Sequence, residues 1–220
     1  MARQSTATVP INMTKEVALA VSLVEGGGAT EANAVVDISP KVLTVTGDAE
    51  LLQGVNRIAL GAIDLASFEQ SYTVTYPIPL PNGAENLSGE KEATVTVSIR
   101  GLVTRPIITT NITFVNVSDG YEAFKVTQYK EVVIRGPAEI VALVAPDNVQ
   151  LVADLSDIGN AVGRYSVPTT VYISGYSGVG VIAGNYNVVV SLEEYVEEPE
   201  PTEPPEELSE EETEEGEEEP

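Results

Sequence analysis

The sequence predicts a mostly β chain made of two tandem units followed by a disordered acidic tail. Three observations predict it. Short runs carry apolar residues at every second position, three blocks recur in the same order at nearly constant spacing, and the last stretch is almost entirely Glu and Pro.

Alternation with period two marks strands that have one buried and one wet face. It is clearest in Thr94-Val95-Thr96-Val97-Ser98-Ile99, within Val42 to Thr46, and from Thr110 to Val117. Thr and Val dominate these runs, and their branched Cβ atoms suit a pleated surface. Pro81-Asn82-Gly83 is a turn signal between two strand-like runs. Helix signals are few. The best cover residues 48–55 and 137–144, each about two turns long. Asp48 can cap the first through its carboxylate, and Pro137 suits a first helical position.

These helices anchor the repeat. Lys41 to Leu52 matches Lys130 to Val141 at a shift of 89: Lys on Lys, Gly47 on Gly136, Ala49-Glu50 on Ala138-Glu139, with aliphatic partners between. Ile63-Asp64-Leu65 then meets Ala153-Asp154-Leu155 at a shift of 90, and residues 95–99 meet residues 188–192 at a shift of 93. Ordered matches with a slowly growing offset are what a duplicated domain with small loop insertions produces. The units span residues 5–99 and 100–192. The glycine after the matched strand is expected to supply a conformation or a close approach that a Cβ would block.

Residues 193–220 form the tail. They hold 16 of the 34 acidic residues, leaving 18 acids against 11 bases in the body, a net charge there of −7. Such a segment cannot bury enough apolar area to offset chain entropy, and it repels itself, so it is expected to be extended and disordered. It suits a tether, a spacer or an electrostatic repellent, or merely a solubilising end.

Composition also narrows the chemistry. A chain this negative is a poor nucleic-acid binder, since phosphate neutralisation needs clustered Lys and Arg. It has no Cys and no His, so thiol nucleophiles, disulfides, Cys-ligated zinc and His-dependent triads are excluded. The longest apolar stretch, Val17 to Val24, is far short of a membrane span. The chain opens in a strand-like pattern, residues 7–12, without a leader, and is expected to be a segment of a longer secreted or anchored protein.

Few motifs could carry chemistry. Gly175-Tyr176-Ser177-Gly178-Val179-Gly180 fails as a nucleophile elbow, because residue 179 is not Gly and no His base exists. Read as a dinucleotide loop, residues 178–184 place the third Gly one position late, with no surrounding βαβ unit. A glycine-rich hairpin or bulge is expected there, and a flexible loop at Gly26-Gly27-Gly28. The acid pairs Asp154/Asp157 and Asp119/Glu122 could form a glycosidase-like pair or a calcium loop, but no ligand pattern completes either. Asp64 and Asp154 hold the same place in both units, so a turn or helix cap is the expected role. Four N-x-S/T sequons, at Asn12, Asn86, Asn111 and Asn116, fit chance in a chain rich in Thr and Asn. No catalytic, cofactor-binding or metal-binding residue is assigned.

The unit resembles the YbbR-like domain family. That family shows a Gly-Tyr-Glu-like turn, a Val-x-Val-x-Gly strand, a strand ending in Asp-Leu, and a closing alternating strand. The second unit carries all four: Gly120-Tyr121-Glu122, Val132 to Pro137, Asp154-Leu155 and Val188-Val189-Val190. The first carries Leu43 to Gly47, Ile63-Asp64-Leu65 and Val95-Thr96-Val97, but has Gly26 to Ala32 in place of the Gly-Tyr turn. The resemblance implies two YbbR-like domains, each a curled β-sheet with one short helix. It further implies a non-enzymatic extracytoplasmic module of a bacterial membrane-anchored regulator, with a membrane-bound diadenylate cyclase or an envelope component as protein partner and cyclic di-AMP as the regulated output. The alternative is a surface spacer or adhesin built of β-sandwich repeats. A hydrolase using paired carboxylates is a third reading, testable at Asp154.

Overall fold

The computed structural model describes residues 11–159 and 161–195. The tail from residue 196 onward and the first residues of the N-terminal strand pattern lie outside the described residues.

Seven strands form the first half: β1 (Asn12–Val24), β2 (Ala34–Ser39), β3 (Val42–Asp48), β4 (Arg57–Asp64), β5 (Ser71–Pro77), β6 (Ala84–Asn86) and β7 (Glu92–Ile99), with helix α1 (Ala49–Gln53) after β3. They make two sheets, ordered β4-β1-β3-β6 and β2-β7-β5. The long β1 runs antiparallel to β3, with Lys15 opposite Val45, and parallel to β4, with Leu19 beside Ile58.

The second half holds β8 (Val103–Thr109), β9 (Ile112–Val115), β10 (Tyr121–Lys125), β11 (Lys130–Gly136), helix α2 (Ala138–Leu143), β12 (Val149–Asp154), β13 (Gly163–Val167), β14 (Thr169–Ile173), β15 (Gly180–Val181) and β16 (Val188–Glu194). Its sheets are ordered β15-β11-β8, β14-β12-β9 and β10-β16-β13. Here β8 pairs antiparallel with β11 and β9 pairs parallel with β12, so the two strands together take the place of β1. The halves differ after β5. In the first half the chain stays paired to β7 through Pro77, whereas in the second it leaves β16 at Val167 and returns as β14 on β12.

The alternation read from the sequence is the burial pattern. Leu43 and Val45 of β3, Val95 and Val97 of β7, and Val188, Val190 and Leu192 of β16 are buried, while the intervening residues face outward. Facing Thr73 and Thr96 hydroxyls lie 3.0 Å apart on the wet face of the β5–β7 pair, a cross-strand pair that supports the register. Two separate apolar cores result, one gathered around Val17, Leu43, Leu52 and Val97, the other around Ile134, Leu151, Val167 and Val190.

Both expected helices form, each shorter than its sequence signal. Asp48 caps α1 by accepting from the Glu50 N–H at 2.8 Å, and Pro137 precedes α2. A cation from the neighbouring strand closes the other end of each. Lys15 Nζ donates to the Leu52 carbonyl at 3.0 Å. Arg105 donates to the Ala142 carbonyl at 3.1 Å and to the Val144 carbonyl. Cations at helix C-termini satisfy orphan carbonyls and oppose the helix dipole. Replacing Arg105 with Met is expected to lower the stability of the second half by about 1 kcal/mol, read by urea denaturation.

Two expectations are corrected and one turn is met. The strand read over 110–117 spans only Ile112–Val115, because Asn116 turns into the left-handed region at φ 56°. Glu193 and Glu194, assigned to the tail, extend β16 opposite Glu122 and Tyr121; main-chain pairing there needs no apolar side chain. Pro81-Asn82-Gly83 does turn between two strands as expected, with Gly83 at φ 85°, and the strands on either side, β5 and β6, lie in different sheets.

Candidate functional site

Asp154, from the acid pair Asp154/Asp157, and its counterpart Asp64 take the same structural role. Asp64 Oδ1 accepts from the Ala66 N–H at 2.8 Å and Asp154 Oδ1 from the Ser156 N–H at 2.9 Å, so each caps the turn after its strand. Asp154 also accepts from Asn116 Nδ2 at 2.9 Å. These bonds, that from Asn116 foremost, hold its carboxyl below the ordinary carboxylate range. A general acid at neutral pH needs the opposite shift. Asp154 and Asp157 border an open groove of about 500 Å³ shared with Tyr165 and Pro168. Among the described residues no three acidic side chains gather where a metal ion could sit.

The lowered Asp154 pKa has a definite sign. A carboxyl depressed in the folded state stabilises the fold above its unfolded pKa, and that stability is lost as pH falls through the folded value. Asp154→Asn is therefore expected to be less stable than the wild type at neutral pH. The two should converge as pH drops below the usual carboxylate range, as followed by thermal unfolding across pH.

The most constrained polar centre lies elsewhere, where the two halves meet. Arg135, the penultimate residue of β11, is 1% exposed. All its donors are used. Nε donates to the Gly27 carbonyl at 2.8 Å, Nη1 to Phe68 and Glu69 at 2.8 and 2.9 Å, and Nη2 to Gly26 and Leu65 at 3.1 and 2.6 Å. Every acceptor is a backbone carbonyl of the first half. Burial lowers the Arg135 pKa, and the nearby Asp64 carboxylate opposes that shift. The guanidinium keeps its charge because arginine starts so far above neutrality.

Local structure explains why those carbonyls converge. Gly26 and Ala29 exchange two main-chain hydrogen bonds at 3.1 and 3.0 Å around Gly27 and Gly28, which sit at φ 57° and 74°. Two successive positive φ values define a tight turn that favours glycine. Leu65 to Ser67 forms one 3-10 turn behind the Asp64 cap, which turns the Leu65, Phe68 and Glu69 carbonyls to the same side. The halves then close backbone to backbone. A Cβ on Gly28 would overlap the Arg135 carbonyl oxygen and stand 2.8 Å from the Gly180 nitrogen. One on Gly180 would meet the Gly27 carbonyl carbon at 2.7 Å. The Ala183 N–H adds a 2.8 Å bond to the Ala66 carbonyl. Tyr186 lies beside this seam, with its phenol raised by burial and, further, by the Glu69 carboxylate of the first half.

Gly26-Gly27-Gly28 is thus a docked turn and not a flexible loop, which corrects the sequence expectation. Gly180 opens a short strand on β11, in keeping with the hairpin-or-bulge reading. Gly47 and Gly136 do sit at close approaches: a Cβ would lie 2.8 Å from the Gly83 carbonyl oxygen and 2.9 Å from that of Gly178. Arg135 was missed. The available signal was its place against Thr46 in the aligned blocks, a cation directly after the apolar run Val132-Val133-Ile134.

Residues 9–99 match the family model described as YbbR-like protein, so the resemblance read from the motifs is shown for the first unit. Among solved structures, the crystal structure of a YbbR-like domain from Listeria monocytogenes is similar at 19% identity, covering 43% of this chain and 97% of that one, with a TM-score of 0.34. A YbbR-like protein from Streptococcus pneumoniae is 14% identical, covering 87% of this chain and 98% of that one, with a TM-score of 0.30. No curated protein matches the chain.

Proposed function

We propose that this chain is the non-enzymatic, extracytoplasmic part of a bacterial membrane-anchored regulator, with YbbR-like domains at 5–99 and 100–192 and an acidic tether behind them. It acts by contacting a protein partner, a membrane-bound diadenylate cyclase, and so adjusts cyclic di-AMP output. The observation that carries this reading is the family match over residues 9–99. The second domain enters by its internal likeness to the first: an alternating strand ending at a corner glycine, a short cation-capped helix, and a parallel pair ending in a capping Asp. The absence of Cys and His and the capping roles of Asp64 and Asp154 support a binding role over catalysis. No helix of the described residues is long and apolar enough to cross a membrane, so an anchor would come from a segment joined to this one.

The test is to express the chain behind a membrane helix in a bacterium with a membrane diadenylate cyclase and to measure cyclic di-AMP. A change relative to the helix alone is expected. Unchanged output, with no cyclase recovered by cross-linking, would reject the cyclase as partner.

A spacer role draws on one observation, the locked junction at Arg135, which suits a stiff arm. A β-sandwich version of that reading does not fit. Immunoglobulin-type sandwiches are built of antiparallel sheets, whereas β1–β4 and β9–β12 pair in parallel.

A further inference from the structure

We propose that the first repeat carries a guanidinium-recognition site, formed by the carbonyls of Gly26, Gly27, Leu65, Phe68 and Glu69, through which it binds the arginine of a neighbouring repeat. In this chain the ligand is Arg135. The site matches that group in number and shape. A guanidinium has five N–H donors in a planar fork, and five carbonyl oxygens receive them at 2.6 to 3.1 Å. A lysine ammonium offers three donors on a single point and would leave buried carbonyls unpaired. No carboxylate oxygen bonds the guanidinium, so recognition rests on oriented peptide dipoles, with Asp64 supplying opposite charge nearby.

The corresponding pole of the second repeat shows what a closed version looks like. The pairing of Val24 with Asp64 recurs as that of Val115 with Asp154, so Val117, Ser118, Leu155, Ile158 and Gly159 stand where the socket residues stand. There the repeat supplies its own donors. Ser118 Oγ donates to the Gly159 carbonyl at 3.3 Å, the Tyr121 N–H to Ser118 at 3.1 Å, and Asn116 Nδ2 to Asp154 at 2.9 Å. The glycine pair of the first repeat is replaced by Ser118 and Asp119, whose Cβ atoms would face an incoming backbone.

The plug is likewise built on one repeat only. Arg135 pairs with Gly180 across β11 and β15, and the matching positions across β3 and β6 are Thr46 and Glu85. Thr46 turns back to donate to its own Met13 carbonyl at 3.2 Å, and Glu85 is exposed where Gly180 leaves room for Gly28. Docking therefore has one direction, and both outer poles are closed to another repeat of this chain.

The test uses the full chain with Arg135→Ala, followed by small-angle scattering and thermal unfolding, with guanidinium, ammonium or sodium chloride added at equal, non-denaturing concentration. The variant is expected to show a larger radius of gyration than the wild type and a midpoint lowered by several degrees. Guanidinium alone should reverse both: the first-repeat carbonyls can bind it in either form, but the closed seam shields the filled socket from water and holds the ion more tightly, so its differential affinity favours docking. Arg135→Lys should stay open. Compactness equal to the wild type in Arg135→Ala, equal rescue by the three salts, or wild-type behaviour of Arg135→Lys would each overturn the proposal. If the alanine variant loses its strand circular dichroism, the lysine variant decides alone: an unchanged radius and midpoint reject the site, and an open chain upholds it.

Discussion

Gly28→Ala is expected to separate the two repeats while leaving both cores folded. Gly28 sits at φ 74°, where an alanine pays about 1–2 kcal/mol of backbone strain. The larger effect is steric. The added Cβ points at the Arg135 carbonyl oxygen and the Gly180 nitrogen, and both are main-chain atoms of strands paired within the second repeat. Neither can rotate aside as a flexible side chain could. Relief comes by moving one half away from the other, which draws Arg135 out of its carbonyl socket and leaves buried acceptors to water. Scattering should show a longer particle, and hydrogen exchange should accelerate at Ala183, whose N–H bonds Ala66 across the seam. Far-ultraviolet circular dichroism should hardly change. A Gly28→Ala chain with the wild-type scattering profile would mean that the repeats do not meet through this turn. Gly89→Ala is the matched control, because that glycine also has positive φ, 81°, but no atom within 4 Å of its would-be Cβ.

Leu43→Ala and Leu151→Ala are expected to unfold one repeat each at far lower denaturant than the other. Both leucines are fully buried, Leu43 in the first core and Leu151 in the second. Truncating a buried leucine costs about 2–5 kcal/mol, from lost transfer energy and the cavity left behind. That is a large share of the roughly 5–15 kcal/mol that holds a domain folded. The two cores share no buried residue, so the damage should stay in the mutated half, apart from the docking energy that its loss removes from the other. Urea unfolding should change from one transition to two, and the repeat that melts first should switch between the variants. Equal early melting of both halves in each variant would show that the cores are a single cooperative unit.

How much of this was legible in the sequence can be judged residue by residue. Period-two alternation placed β3 and β7 with the correct inward residues, because a half-buried strand imposes its pattern on consecutive positions, and β16 followed from its match to β7. Asp48, Asp64 and Asp154 were readable as caps, since each bonds an N–H two residues along the chain. The strand over 110–117 was overextended because Asn116 was counted as one more alternating position, whereas it takes left-handed backbone to reach Asp154, 38 residues away. The divergence after β5 was equally hidden: Pro77 and Pro168 look alike in sequence, yet the first repeat stays paired to β7 through Pro77, whereas the second leaves β16 at Val167 and pairs with β12 directly after Pro168. Asp154 invited a catalytic reading through its pairing with Asp157, but it caps a turn as Asp64 does, a role already read from the recurrence of these two residues.

The sequence by itself determined the mostly β class, the ordered recurrence of its blocks, the places of the two short helices and the lack of Cys and His. All of these rest on interactions between residues close in the chain or on composition. Only the tertiary structure decided that the glycine triplet is a docked turn and that Arg135 spends all five of its donors on carbonyls of the other half. Its five acceptors lie between 66 and 109 positions away. They are backbone carbonyls, which every residue possesses, so no side-chain pattern marks them. A local signal can announce an arginine in an apolar strand, but what receives it depends on where two folded halves bring their main chains together.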